Sequence, residues 1–405
     1  MSNSSDRLSV MQAILTLEMA GAQEVVRTLA EYLQADDCSV TVCAFHDGPM
    51  RSEIERLGVK VEILKRPRYS VVFLPMFVAE MLRIRRELAR LVDQYQVDVL
   101  HTHLLQVLDF LALSLRRRTR LRIVVWTMHN VEFLPERVKE QTRWFQSLKR
   151  AVYRVLYRLL ASQVDGIVAV SDQVHQSVLR QMGPIQDKVF TICNAVDLKS
   201  FEGAGDSAAL CRELGLEPGS HLVATVGRLA EQKGHRYLID AATSVVSSHP
   251  DTHFLFIGDG DLKDELLRQA QRSGLSRHIH FLGVRQDVPD LLAAVDVFVL
   301  PSLSEGLSVA LLEAMASGKP VVATAVSGTD QAVIPGRTGL VVPPGNSQAL
   351  ADAIIQLLCN PAQAQAMGQA ARQDVETHFN PQKQANEHLA LYNRLLQQRV
   401  AGRLR

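Results

Sequence analysis

The chain has no C-x-x-C pair. Its five cysteines, Cys38, Cys43, Cys193, Cys211 and Cys359, are odd in number and scattered. That argues against a disulfide framework or a cysteine-built zinc site and fits a reducing compartment. Long apolar runs are also missing. The most apolar stretches are 70–82, broken by Pro75 and Glu80, and 104–115, broken by Asp109. Neither reaches the ~20 residues that a membrane span needs. The opening MSNSSDRLSVMQ is polar and has no signal-peptide core. The expectation is a cytoplasmic protein, whose only route to a membrane is peripheral contact at the inner face. A strong charge of either sign is absent too. The net charge of +1 excludes a polyanion-binding protein as a whole, so no nucleic-acid partner is expected.

What is present is the composition of a soluble globular protein, 47% hydrophobic and 21% charged over 405 residues. Domains of roughly 100–200 residues make two the expected number, with three as the alternative. The charge is uneven. Residues 1–197 carry 26 Lys/Arg and 22 Asp/Glu, the remainder 18 and 21. Within 60–160 there are 20 basic and 9 acidic residues. That stretch either faces an anionic partner or forms solvated helix faces. Part of it, TRWFQSLKRAVYRVLYRLLA (142–161), is basic and amphipathic with aromatics. It reads as a core helix with a wet arginine face, or as a segment lying on a membrane.

Short apolar runs alternate with longer amphipathic ones. Val10–Leu17, Ser39–Phe45, Val61–Leu64, Val97–His101, Ile123–His129, Gly166–Val170 and Val189–Cys193 read as strands, with helices such as Ala22–Leu33 and Met76–Gln94 between them. The loop NAVDLKSFEGAGDS then marks a boundary near residue 200. The alternation restarts with His221–Val226, His253–Ile257, Ile279–Phe281, Val295–Leu300, Val321–Ala323 and Gly339–Val342. This order predicts an α/β chain with two parallel sheets, each covered on both faces. In such tandem units ligands bind beyond the carboxyl ends of the strands, at a cleft lined by both halves.

The most informative segment is VFVLPSLSEGLSVALLEAMASGKPVVAT (297–324). A strand ends at Pro301, a polar loop follows, and a helix runs from about Ser308 to a stop at Gly318 and Pro320. Glu305 lies in the loop after Ser304 and before Gly306, and Glu313 sits just inside the helix. Carboxylates there suit the vicinal hydroxyls of a ribose or sugar. The amides from Leu307 through Ser308 to Val309 form a helix N-terminus that suits an anion. A surface role for Glu313 is the plainer alternative, but it sits in ALLEAMA, where a lone acid is costly. In VGRLAEQKG (226–234), Arg228 and Lys233 follow a strand and suit a diphosphate. They would stabilise charge building on a leaving diphosphate without a metal. In FIGDGDLKDELL (256–267), Gly258 and Gly260 allow close approach of a nucleotide. Asp259 and Asp261 spell D-x-D, and read better as helix-capping acids than as metal ligands. Lys263 breaks the G-x-G-x-x-G fingerprint of a dinucleotide fold.

The first half is less specific. Gly21 precedes a helix and makes either an anion-friendly turn or simply a tight one. His101 and His103, in DVLHTH, point the same way at a strand end, and His129 ends another strand in WTMHN. Such histidines bind hydroxyls or move protons, or else are structural. A zinc site among them lacks cysteines or an acid at ligand spacing.

Together VGRLAEQKG, GDG and PSLSEGLSVALLEAMASGKPVVAT, with the looser GAQE, DVLHTH, TMHN and VSD…NAVD, resemble the retaining glycosyltransferases of family 4. The resemblance covers nearly the full length and implies the GT-B fold of two Rossmann-like domains facing a central cleft. It implies an acceptor-binding domain over 1–197, a nucleotide-sugar-binding domain over 198–380, and a last helix within 381–405 that crosses back to the first. It also implies metal-independent transfer with retention and no cofactor. The donor is a nucleoside-diphosphate sugar, and the acceptor a glycan, a lipid-linked molecule or a small molecule. By carry-over, Arg228 and Lys233 bind the diphosphate, Glu313 the ribose and Glu305 the sugar hydroxyls. His129 contacts the sugar near the reacting carbon, and Gly21 sits by the phosphate. His101, His103 and Asn194, the last from the NAVD motif, join the substrate-binding set. The chain departs from the family where Ala20-Gly21 replaces a double glycine, where Gln23 replaces a glutamate, and where Ser327 and Gln331 stand in SGTDQAV. Competing readings are a GT-B sugar-nucleotide epimerase, an NAD-dependent oxidoreductase and an inert binding module of the same fold.

Overall fold

The computed structural model describes residues 7–36, 38–64, 74–103, 108–116, 119–131, 155–203 and 205–402. Two units divide the chain. One is Met1–Cys193 together with Pro381–Arg405, and the other is Asn194–Asn380.

Among the described residues the first unit holds seven parallel strands: β1 (Ser9–Thr16), β2 (Ser39–His46), β3 (Lys60–Ile63), β4 (Val99–His103), β5 (Ile123–Met128), β6 (Gly166–Ala169) and β7 (Val189–Thr191). Their order is β3-β2-β1-β4-β5-β6-β7. The central strands β1, β4 and β5 are buried at nearly every position because helices cover both faces of the sheet. One face packs Val10, Ile14, Val99 and Val125 under Val26, Leu29 and Leu33 of the helix Gly21–Ala35. The last helix, Pro381–Val400, adds Ala385, Leu391, Tyr392 and Leu395 to that same core.

β4 begins two residues later than the apolar run suggests. Asp98 is spent on pinning strand beginnings together: its carboxylate accepts from the Ser9 amide at 3.2 Å, and its own amide donates to the Ser9 carbonyl at 2.9 Å. The ladder therefore starts at Val99 and carries on to His103. His101 lies inside the strand, level with Gln12 of β1, and only His103 is at the end.

The second unit holds β8 (His221–Val226), β9 (Thr252–Ile257), β10 (Ile279–Gly283), β11 (Val297–Leu300), β12 (Val321–Thr324) and β13 (Leu340–Val342). All are parallel, in the order β10-β9-β8-β11-β12-β13. Val223, Phe254, Phe256 and Val299 point to one face and Ala224, Leu255 and Ile257 to the other, each into its own core.

Residues 142–154 of the basic amphipathic segment lie outside the described residues. The rest of it, 155–161, is helical, with Tyr157 and Ala161 buried and Val155 and Leu159 exposed. Among the described residues no helix is long and apolar enough to cross a membrane.

Candidate active site

Two loops at the carboxyl ends of neighbouring strands carry the charged candidates of the second unit. One leaves β8 through Gly227 and Arg228, makes a short turn over Glu231–Lys233, and enters the helix His235–Ser248. The other leaves β11 at Pro301 and enters the helix Val309–Ala316. β8 and β11 are direct neighbours. The loops are stitched together, with the Leu303 amide donating to the Gln232 carbonyl at 2.7 Å and Gln232 Nε2 donating to the Ser304 carbonyl at 2.7 Å. Where they cross, Gly234 has φ 63°, and a Cβ there would fall on the Pro301 carbonyl oxygen. Only glycine fits both constraints.

The stitching brings Lys233 and Glu305, 72 positions apart, into one ion pair: Lys233 Nζ donates to Glu305 Oε1 at 2.7 Å. Ser302 Oγ donates to the same oxygen at 2.6 Å. Glu305 is only 6% exposed. A carboxylate this buried is tolerated because an ammonium and a hydroxyl compensate it. Arg228 is exposed beside the pair's loop, and Glu313 is half-buried on a helix whose Leu311, Leu312, Ala314 and Met315 are buried. Gly306, Leu307 and Ser308 are buried. Ser308 Oγ caps the helix by accepting from the Leu311 amide at 3.4 Å. Asn194 Nδ2 donates to the Leu307 carbonyl at 2.9 Å, which makes Asn194 a tie on the helix entry, while its Oδ1 is buried without a partner among the described residues.

The glycines have a packing reason. Gly258 has φ 130°, and a Cβ there would strike the Gly227 carbonyl oxygen; one at Gly260 would meet the backbone of Leu229. The Leu229 amide donates to the Asp259 carbonyl at 2.9 Å, and the Leu262 amide to the Leu229 carbonyl at 3.0 Å. Two backbones cross here, and that alone calls for glycine. The capping role expected of the Asp259–Asp261 acids is corrected as well. The helix Lys263–Arg272 has Leu262 at its N-cap and no side-chain cap. Asp259 instead accepts from Lys263 Nζ at 3.0 Å, and that bond holds its carboxyl below the usual range. Among the described residues no group of His, Cys, Asp or Glu is placed to hold a metal ion.

In the first unit the histidine candidates are neutral and enclosed, while Gly21 is not. Gly21 is exposed and opens its helix, after an extended Ala20 that offers no side-chain cap. The first amides of that helix have no intrahelical partner. Gln23 Nε2 donates to the Thr16 carbonyl at 3.1 Å and ties the helix to β1.

His101 is fully buried, with Nδ1 2.6 Å from the Tyr392 hydroxyl and Nε2 2.5 Å from Thr127 Oγ1. Both nitrogens are used, so the expected hydroxyl-binding role for His101 is corrected to a packing role inside the core. His103, equally buried, faces His129, with Nδ1 3.1 Å from His129 Nε2, and its own Nε2 is unpartnered. His129 follows β5 and is 8% exposed. Its Nδ1 takes no partner among the described residues. The His388 ring lies tilted beside that of His101, with centroids 5.5 Å apart. Burial pushes all four downward, His129 and His388 to about 4 and His101 and His103 well below their ordinary range. They are neutral imidazoles at pH 7.

Sequence reasoning did not find Ser302, Thr324, Gln12, Gln384, His388 or Tyr392. One signal was available. Gln384, His388 and Tyr392 are spaced i, i+4, i+8 and are all buried, a polar stripe on the core face of the last helix.

The model described as Glycosyltransferase Family 4 matches residues 19–200, and the one described as Glycosyl transferases group 1 matches 207–374. The UDP-Gal:alpha-D-GlcNAc-diphosphoundecaprenol alpha-1,3-galactosyltransferase of Escherichia coli is 27% identical over 75% of this chain and 77% of its own length. The GDP-mannose-dependent monoacylated alpha-(1-6)-phosphatidylinositol monomannoside mannosyltransferase of Corynebacterium glutamicum is 35% identical, over 46% of this chain and 51% of its own. Among solved structures, HepE of Anabaena, in complex with UDP and glucose, superposes with a TM-score of 0.79 at 22% identity, covering 95% of this chain and 99% of that one. The glycosyltransferase WaaG, involved in lipopolysaccharide biosynthesis, gives 0.72 at 17% identity, covering 93% and 99%. The shared fold is GT-B.

Proposed function

This chain belongs to the family 4 glycosyltransferases, and we propose that it moves a sugar from a nucleoside-diphosphate sugar to a lipid-linked acceptor, with retention and without a metal. The observation that carries the reading is the Lys233–Glu305 pair, built where two neighbouring parallel strands end.

In this reading the second unit takes the donor. Arg228 and Lys233 hold the diphosphate and oppose the charge that grows on it as the sugar bond breaks. Glu305 accepts from sugar hydroxyls and Glu313 from the ribose. The first unit takes the acceptor. His129, neutral at working pH, has an Nδ1 suited to a sugar hydroxyl, and the open amides from Gly21 onward suit a phosphate. His103 holds His129 in place.

The acceptor class rests on two observations. The galactosyltransferase and the mannosyltransferase above act, by their names, on lipid-bearing acceptors. The helix Leu74–Gln94 exposes Met76, Val78 and Leu82 together with Arg83, Arg86 and Arg90. Apolar and basic residues on one helix suit an anionic membrane surface, so the protein is peripheral at the inner face. Flotation with anionic vesicles at low salt tests this; a chain that stays with the soluble fraction refutes it.

The transfer itself is tested by incubating the purified chain with UDP- and GDP-sugars and a polyprenyl-diphosphate sugar, with EDTA present. Release of nucleoside diphosphate that depends on the acceptor, with the donor's anomeric configuration kept in the product, is the expected result. Turnover without acceptor would favour an epimerase, and turnover lost in EDTA would refute the metal-independent reading.

A further inference from the structure

Among the described residues every hydrogen bond that Glu305 accepts goes to one of its two oxygens. Ser302 Oγ at 2.6 Å and Lys233 Nζ at 2.7 Å both reach Oε1. Among the described residues Oε2 accepts from nothing. A carboxylate has about four acceptor sites, and putting both protein donors on one oxygen fixes which oxygen stays open. Ser302 is itself held. It is fully buried, and its carbonyl accepts from Thr324 Oγ1 at 2.6 Å. Thr324 closes β12, is fully buried, and also lies 3.2 Å from the Leu300 carbonyl at the end of β11. A chain of contacts thus runs from two strand ends through Thr324 and Ser302 to Glu305.

The two donors differ in kind. Lys233 is a point charge on a flexible stem, whereas Ser302 is a short side chain with a directed O–H. If Lys233 serves a diphosphate, part of its attraction for Glu305 is diverted when the donor arrives. Ser302 is then the donor that still fixes the rotation of the carboxylate, a torsion that is otherwise broad.

We propose that Ser302, braced by Thr324, is a positioning residue for the donor sugar: it holds Glu305 so that Oε2 is presented to sugar hydroxyls while Oε1 stays with Lys233. This rests on the reading of Glu305 as the acceptor of those hydroxyls. It follows that Ser302 acts on recognition of the sugar and leaves recognition of the diphosphate alone.

The test is calorimetric binding of UDP, GDP and ADP, each against its glucose or mannose ester, to the full chain and to Ser302→Ala, Ser302→Thr and Thr324→Val. For the nucleotide that binds, Ser302→Ala should weaken the sugar nucleotide ~10-fold, the worth of one charge-assisted hydrogen bond. The bare diphosphate should change less than ~2-fold. Ser302→Thr keeps the hydroxyl and should recover most of the loss, and Thr324→Val should fall between. Equal weakening of both ligands, no weakening of either, or a threonine variant as poor as the alanine one would overturn the proposal. If Ser302→Ala does not fold, Thr324→Val gives the answer by the same ratio. A wild-type chain that binds a diphosphate and its sugar ester equally would take Glu305 out of reach of the sugar and overturn this inference alone. One that binds no nucleotide would overturn the donor reading with it.

Discussion

The two units are built on the same plan and end in opposite chemistry. Each is a parallel sheet, and in each most of the candidate residues lie at or just beyond the carboxyl ends of its strands. In the first unit His103 and His129 meet at those ends, and His101, one step inside its strand, bonds to the Thr127 hydroxyl and to the Tyr392 phenol of the last helix. In the second they carry an ammonium and a carboxylate locked together, with a guanidinium nearby. Neutral groups bind and orient, while fixed charges compensate a charge that moves. The fold supplies positions, and the residues at the strand ends decide the work.

The largest expected effect breaks the charged half. Lys233→Ala should lower transfer by at least ~1000-fold, because transition-state charge is lost. It should also destabilise by about 2 kcal/mol, because Glu305 is left buried without its cation. Adding Glu305→Gln should restore the stability and leave activity absent. Recovery of activity in the double variant would refute the assignment.

The next is a pH effect, read in the neutral half; His235 and His280 of the second unit are also pushed down by burial, to about 3 and about 4. Below pH 6.5 the unfolded chain protonates its histidines, while the folded chain refuses protons until about pH 4 at His129 and His388. Stability is therefore full above pH 6.5 and is lost as the pH falls towards 4, by up to ~3 kcal/mol for each such histidine. Trp126 is buried in the first unit, and both tryptophans of the chain lie before residue 194. Tryptophan fluorescence on heating thus follows that unit. An unfolding midpoint flat from pH 7 to 4.5 would contradict the neutral-histidine account.

A smaller change sharpens the same half. Tyr392→Phe removes the partner of His101 Nδ1 and should cost about 1–2 kcal/mol, read by denaturant unfolding. The smallest effect is expected at Asp259→Asn. Its bond to Lys263 is exposed, so the unfolding midpoint should not move measurably and transfer should change by less than ~2-fold. A large loss there would return the D-x-D acids to the chemistry.

The same contrast governs what was legible in the sequence. The strands of the second unit, and the charges Arg228, Lys233, Glu305 and Glu313, stand out because apolar runs and lone charges are local signals. That Lys233 meets Glu305 is not local, since it depends on how two loops cross. Gly258 and Gly260 signal a close approach, but the residues alone do not tell a ligand from another backbone. In the first unit the reading fails more often. The partner of His101 lies 291 positions away on the last helix. The two-residue shift of β4 follows from a side-chain role of Asp98 that periodicity does not register.

The central claim, that Lys233 and Glu305 form the donor site, is tested most directly by a thermal-shift screen with UDP, GDP, ADP and NAD. Wild type and Lys233→Ala would be compared, each with and without EDTA. At ~100 times its dissociation constant a ligand adds roughly 2.7 kcal/mol of stability. The account predicts that one nucleoside diphosphate stabilises wild type, indifferent to EDTA, and leaves Lys233→Ala unmoved. Stabilisation by NAD alone, or an equal shift in the variant, would contradict it.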